Sequence, residues 1–283
     1  MKIVHDTADV RRAIEQARSA GHSIGFVPTM GALHDGHASL FTHAKSINGF
    51  VVASIFVNPL QFNDPGDLAS YPTTAQDDEA ICVERGVDLV YRPTIDDVYP
   101  DGFDTRVEPG ALADVLEGQH RPGHFSGMAT VVLKLFNIVD PDDTYFGKKD
   151  FQQLAIVQRM VTDFNLKVRV HGVETVRESD GLAMSSRNSK LSVSARMAAA
   201  KLSAALFEVR RRVSQGTDPS EAVTSQRNAL LSYPDIEVEY LELVDSSSLR
   251  APASESNHLV VLVAAKVGGV RLIDNVEISL GNT

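Results

Sequence analysis

From the N-terminus to Val176, short apolar runs rich in β-branched residues alternate with stretches of helical periodicity, and this alternation limits the possible folds more than any other feature. Parallel strands need a crossover between them, so the pattern implies an α/β architecture: a Rossmann-like parallel sheet with helices on both faces. Strands are expected at 24–27, 51–57, 87–91, 144–146 and 168–173. Helices are expected at 74–85, opened by a Thr74 cap and closed before Gly86, at 126–139, and at 150–165. Beyond Val176 a polar loop at 177–188 leads into a long helix at 193–215 and a further helix. Strand-like runs follow at 236–244, 258–267 and 270–278, with turns that suit antiparallel pairing. A chain of 283 residues is long for one core. The expected division is a larger domain over 1–176 and a smaller C-terminal α+β domain over 177–283.

Composition removes several classes of function. The formal net charge is −10, with no long run of lysine or arginine to follow a phosphate backbone, so nucleic acid is not an expected partner. No run reaches the ~18 apolar residues of a membrane span, and the first residues lack the apolar core of a signal peptide. A single cysteine, Cys82, allows no intramolecular disulfide and needs no oxidising compartment, which makes a cytoplasmic location the expectation.

Ligands of doubly wound sheets bind at the carboxyl ends of the strands. Three segments follow expected strands. Pro28-Thr29-Met30-Gly31-Ala32-Leu33-His34-Asp35-Gly36-His37 carries two imidazoles and two glycines where a strand turns into a helix. Helix starts attract anions, glycine lets backbone approach a ligand, and His34 and His37 can donate to phosphoryl oxygens. The same His pair also fits a metal site, but no His or Cys set elsewhere supplies the further ligands zinc needs. Phe146-Gly147-Lys148-Lys149-Asp150-Phe151-Gln152-Gln153 offers a glycine and lysines suited to a triphosphate, or alternatively an ordinary helix start with exposed lysines. Asn58-Pro59-Leu60-Gln61-Phe62 offers neutral amides beside apolar groups, which suits a small, branched, hydroxylated carboxylate, or is a simple Asn-Pro turn. At the expected domain junction, Met184-Ser185-Ser186-Arg187-Asn188 reads either as a cluster of phosphate-gripping donors or as a serine-rich capped turn. Asp77 and Asp78 are weak candidates for magnesium; the alternative is a solvated carboxylate pair matched to a helix dipole.

These segments, together with His120-Arg121-Pro122-Gly123-His124-Phe125-Ser126-Gly127, resemble the pantothenate synthetase family along essentially the whole chain and in order. The resemblance implies ATP-dependent condensation of (R)-pantoate with β-alanine through a pantoyl adenylate, releasing AMP and pyrophosphate. It implies an ATP site of Met30, Gly31, Ala32, Leu33, His34, Asp35, Gly36, His37, Gly147, Lys148, Lys149, Asp150, Val176, Met184, Ser185, Ser186 and Arg187. His34, His37 and Lys149 are the expected catalytic groups. Gln61 is expected to hold pantoate and β-alanine, and Gln153 to hold pantoate, with Asn58 beside them. The first domain then binds nucleotide and pantoate, and the second includes a lid. A cytoplasmic, Mg2+-dependent homodimer is also implied. Two positions depart from the family pattern, Lys148 where glutamate is common and Thr73 where arginine is common after Tyr-Pro. The rival functions are a nucleotidylyltransferase that leaves AMP on its product and a non-catalytic nucleotide sensor.

Overall fold

The computed structural model of the chain describes residues 1–63, 65–69 and 71–280. It comprises two compact units, one of residues 1–114, 118–148 and 153–174, the other of Val115–Glu117, Lys149–Gln152 and the chain from Thr175 onward.

In the first unit six parallel strands form one sheet in the order β1-β4-β3-β2-β5-β6. They are β1 (Lys2–Val4), β2 (Ile24–Thr29), β3 (Phe50–Ile55), β4 (Leu89–Tyr91), β5 (Asp143–Gly147) and β6 (Arg169–Val173). The expected Rossmann-like parallel sheet is present, and β1 is added to it. That strand has three residues, of which only Val4 is buried, so it carries almost no periodic signal. The chain winds from β2 through β3 to β4, then returns to place β5 on the other side of β2. Winding therefore reverses between β2 and β5, and a doubly wound sheet leaves its crevice at the carboxyl ends of such a pair, here Thr29 and Gly147.

Alternate side chains of the central strands enter two cores. Ile24, Phe26 and Val52 pack with α1 (Thr7–Ser19) and α4 (His124–Val139), while Val27, Val51 and Ala53 pack with α2 (Asp35–Ile47) and with Cys82 of α3 (Ala75–Glu84). The helix expected from 150 begins one residue later, as α5 (Phe151–Asp163), because Lys148–Asp150 form a 3-10 turn. Thr74 holds the N-cap position of α3 but makes no capping bond. Its hydroxyl instead donates to the Asp78 carboxylate at 2.9 Å.

The second unit contains an antiparallel meander of β7 (Ile236–Asp245), β8 (His258–Val267) and β9 (Val270–Ser279). On one face α6 (Val193–Ser214) and α7 (Pro219–Leu231) share a core with Leu241, Val261, Val263 and Val276.

The far end of α2 is fastened to the first sheet by a buried carboxylate. Asp143, at the head of β5, accepts from Arg169 Nε (2.8 Å) and Nη2 (2.7 Å), from His171 Nε2 (2.6 Å) and from Asn48 Nδ2 (2.9 Å). Asn48 caps α2 and accepts from the Tyr145 hydroxyl at 2.6 Å. Burial pushes the Asp143 carboxyl up, but the bonds from Arg169, His171 and Asn48 outweigh it and hold it at about 2. An unfolded aspartate titrates near ~3.9, so this stabilisation is complete above that pH and is lost as pH falls toward about 2. Urea midpoints should therefore drop across this window in the wild type, and drop less in Asp143→Asn, which starts lower at neutral pH. Identical pH slopes in the two proteins would remove Asp143 from this role.

Candidate active site

Leaving β2, the backbone turns sharply at Gly31 (φ +82°) and Ala32 (φ +51°) before α2 begins. Consecutive positive φ values turn successive N–H groups toward one point, an arrangement that attracts an anion. The anion here belongs to the chain. Asp78 accepts from Leu33 N at 2.8 Å and Ala32 N at 3.2 Å, as well as from the Thr74 hydroxyl. Thr29 Oγ1 donates to the Ser54 carbonyl (2.7 Å) and accepts from Gly31 N (3.3 Å), fixing the start of the turn. A Cβ at Gly31 would lie 2.9 Å from Asp78 Oδ2, so this position needs glycine for space as well as for its φ. Gly36, by contrast, lies within the first turn of α2.

Asp78 is only 2% exposed and is therefore neither the solvated carboxylate nor the open metal ligand that its place in the first turn of α3 suggested. Asp77 is exposed. Among the described residues no group of three or more His, Cys, Asp or Glu side chains could hold a metal ion. Burial, with the Asp78 charge next in effect, pushes the neighbouring Cys82 thiol up to about 12, which leaves it un-ionised and without nucleophilic character.

The turn delivers His34 as the N-cap of α2. Its Nδ1 accepts from Gly36 N at 3.1 Å, while His37 Nδ1 accepts from His34 N at 3.4 Å. The rings lie 4.3 Å apart, centre to centre. A ring nitrogen that accepts carries no proton, so each imidazole holds its hydrogen on Nε2. The helix start therefore carries two imidazoles oriented by backbone N–H groups, directly after the loop amides taken by Asp78.

After β3, Asn58 caps the 3-10 turn Pro59–Gln61. It is 1% exposed and fully engaged: Nδ2 donates to Gln61 Oε1 and to the Gly127 carbonyl, both at 3.0 Å, and Oδ1 accepts from Leu60 N (3.2 Å) and the Tyr99 hydroxyl (2.8 Å). With all four of these positions used, Asn58 orients Gln61. Gln61 Nε2 points to Met30 Sδ at 3.0 Å. His124 Nδ1 (2.8 Å) and Arg121 Nη2 (3.2 Å) donate to its carbonyl. The structure thus brings together Met30, His34, His37 and Gln61 at the carboxyl ends of β2 and β3. A Cβ at Gly147, where β5 ends, would meet nothing within 4 Å, so that backbone borders open space. Lys148 pairs with Glu174 at 2.6 Å. Gln153, in the first turn of α5, is half-buried.

The second unit carries the remaining expected residues. The Lys149 side chain is 18% exposed, and its Nζ lies 4.0 Å from Asp150 Oδ1. Val176 and Met184 are joined by the bond from Met184 N to Val176 O at 2.9 Å. Ser185 Oγ caps the turn Ser186–Lys190 by accepting from Arg187 N at 3.2 Å. Its hydroxyl oxygen is thus engaged in the capped-turn reading, which the sequence left open beside the phosphate one.

This fold, with an imidazole-bearing strand-to-helix loop at its switch point, defines a Rossmann-like nucleotide-using enzyme. The chain belongs to the pantoate-beta-alanine ligase family, whose model matches residues 2–277. A pantothenate synthetase of Mycolicibacterium smegmatis is 50% identical over 97% of this chain and 86% of its own, and one of Sulfurihydrogenibium sp. is 46% identical over 98% and 100%. The crystal structure of pantothenate synthetase from Thermus thermophilus matches with a TM-score of 0.93 at 44% identity, covering 99% of this chain and 100% of that one. The ligase of Francisella tularensis, solved with beta-gamma ATP and beta-alanine, matches with a TM-score of 0.78 at 37% identity, over 98% and 97%.

The functional use of Asp78 escaped the sequence because its partners lie 45 and 46 positions away. Replacing one carboxylate oxygen by an NH2 group leaves a buried amide N–H facing a donor. Asp78→Asn should therefore cost about 1–3 kcal/mol, seen as a melting point several degrees lower. A melting point equal to that of the wild type would show that the carboxylate does not hold the loop.

Proposed function

We propose that the chain carries out its pantothenate-forming ligation in two steps on ATP. In the first, the pantoate carboxylate attacks the α-phosphorus in line, forming the acyl–phosphate bond as the bond to pyrophosphate breaks. The attacking group is already ionised, so positioning and charge stabilisation are the main tasks left to the protein. His34 and His37 donate from Nε2 to the α-phosphoryl oxygens, and the Lys149 ammonium balances the charge gathering on pyrophosphate. Gln61 and Gln153 bind the pantoate. In the second step the β-alanine amine, held by Gln61, attacks the acyl carbon, AMP leaves with the electron pair of the acyl–oxygen bond, and the proton lost by the amine passes to solvent.

The observation that carries this reading is the pair of imidazoles whose Nδ1 atoms both accept backbone N–H groups, because that fixes where their remaining hydrogens can go. The rest of the nucleotide site is assigned to 30–37, Gly147 to Asp150, Val176 and 184–187. Magnesium belongs to the proposal as a companion of the ATP phosphates. Asp78 is occupied by its three donors, and the described residues form no cage of their own for the ion, so no step is assigned to it. The same reading places the enzyme in the cytoplasm, in keeping with its lone buried thiol, and makes it a homodimer.

Incubation with ATP, pantoate and β-alanine should yield pantothenate with free AMP and pyrophosphate; AMP retained on the product would point to a nucleotidylyltransferase, and binding without turnover to a sensor. His37→Ala or Lys149→Ala should each slow pantoate-dependent pyrophosphate release by about 10²–10³-fold, the effect of losing one donor to developing charge. Near-normal release would remove the altered residue from the chemistry. Gln61→Ala should raise the KM for pantoate, since its contact precedes the reaction, and an unchanged KM would count against that contact.

A further inference from the structure

Asp274 and Asn275 interrupt the apolar run of β9, and both are buried, at 4% and 5% exposure. Neighbouring residues of a strand point to opposite faces of its sheet, so this polar pair reaches both faces at once. On the α6 side, Asp274 accepts from both terminal nitrogens of Arg177, at 2.7 and 2.9 Å. Arg177 also donates to the carbonyls of Gly181 (3.0 Å) and Asn275 (3.1 Å), and its guanidinium lies 5.0 Å from the ring centre of Phe207. These bonds tie both arms of the turn that begins at Val176 and ends at Met184 to one carboxylate. On the opposite face, Asn275 Nδ2 donates to the Lys149 carbonyl at 2.8 Å. Nearby, Gln152 accepts from Glu117 N at 3.1 Å and donates to the Val115 carbonyl at 2.8 Å, while Arg271 forms two 2.7 Å bonds to the Glu117 carboxylate. The short segments Val115–Glu117 and Lys149–Gln152 are therefore bound to each other and to β9.

We propose that Asp274 and Asn275 are a positioning pair for nucleotide activation. Asn275 fixes the backbone of Lys149 and with it the reach of the ammonium. Asp274 acts through Arg177 on the turn leading to Met184, Ser186 and Arg187. Neither residue touches substrate. The inference rests on the assignment of Lys149 to the departing pyrophosphate, and a double-mutant cycle separates the two.

Pantoate-dependent pyrophosphate release is measured on the full-length chain for Asn275→Ala, Lys149→Ala, the double variant and Asp274→Asn, with melting points alongside. Asn275→Ala should lower kcat about 5–10-fold, the worth of one buried hydrogen bond, with the pantoate KM unchanged. In the Lys149→Ala background the same change should cost less than about twofold, because its effect passes through the missing ammonium. Asp274→Asn should raise the KM for ATP by about 3–10-fold, since it weakens a charge-assisted pair beneath the turn. Asn275→Leu, which is close in size and removes the donor without adding a charge, replaces the alanine variant if that one is unfolded at assay temperature. An equal loss from Asn275→Ala in both backgrounds overturns the proposal while leaving Lys149 in place, as does an unchanged ATP KM in Asp274→Asn. Full speed in Lys149→Ala overturns both assignments together.

Discussion

The arrangement at the switch point depends on one carboxylate that the protein keeps for itself. A turn through two positive φ values exposes amide N–H groups that would otherwise bind any available anion, and Asp78 occupies Ala32 N and Leu33 N. Its cost is the burial of a charge, which is tolerable because three donors surround it. Its benefit is that the loop is shaped before any ligand arrives. The helix start then carries the two imidazoles. Each imidazole is oriented through the nitrogen that accepts, so its donor direction is set by the backbone of α2 itself.

The same design recurs further along the chain. Asn58 uses its whole hydrogen-bonding capacity on protein groups, with Gln61 Oε1 among them. Asp143 does the equivalent for the far end of α2. In each case a fully satisfied buried polar residue restricts the rotamers of a neighbour, which is how groups can be held ready without a ligand to order them.

Much of the fold was legible because burial writes itself into periodicity. The central strands are buried on both faces and read as apolar runs, and the meander of the second unit reads as long runs broken at turns. β1 was not legible, since three residues with one buried side chain carry no period. The motifs marked the loops at the strand ends, but the motif at Asn58 did not say which of its polar groups the protein had already taken. Asp78 looked like a dipole-matched carboxylate at a helix start, and only its pairing with a loop 45 residues earlier reveals its use. Asp274 and Asn275 left a signal that periodicity reading passes over, a polar pair inside a run that otherwise meets the requirements of a buried strand.

That signal has a general physical reason. Burying an amide and a carboxylate in consecutive positions of a strand is costly unless both are bonded, and consecutive positions cannot share one partner face. Such a pair must therefore connect two different segments, one on each side of its sheet. In β9 those segments are the Lys149 backbone and the turn rooted at Arg177, 28 positions apart in sequence, which the proposal above brings to one nucleotide site. A polar dipeptide within an apolar strand thus carries information about long-range geometry, and a β-propensity scale would count it only as a weakness of the strand.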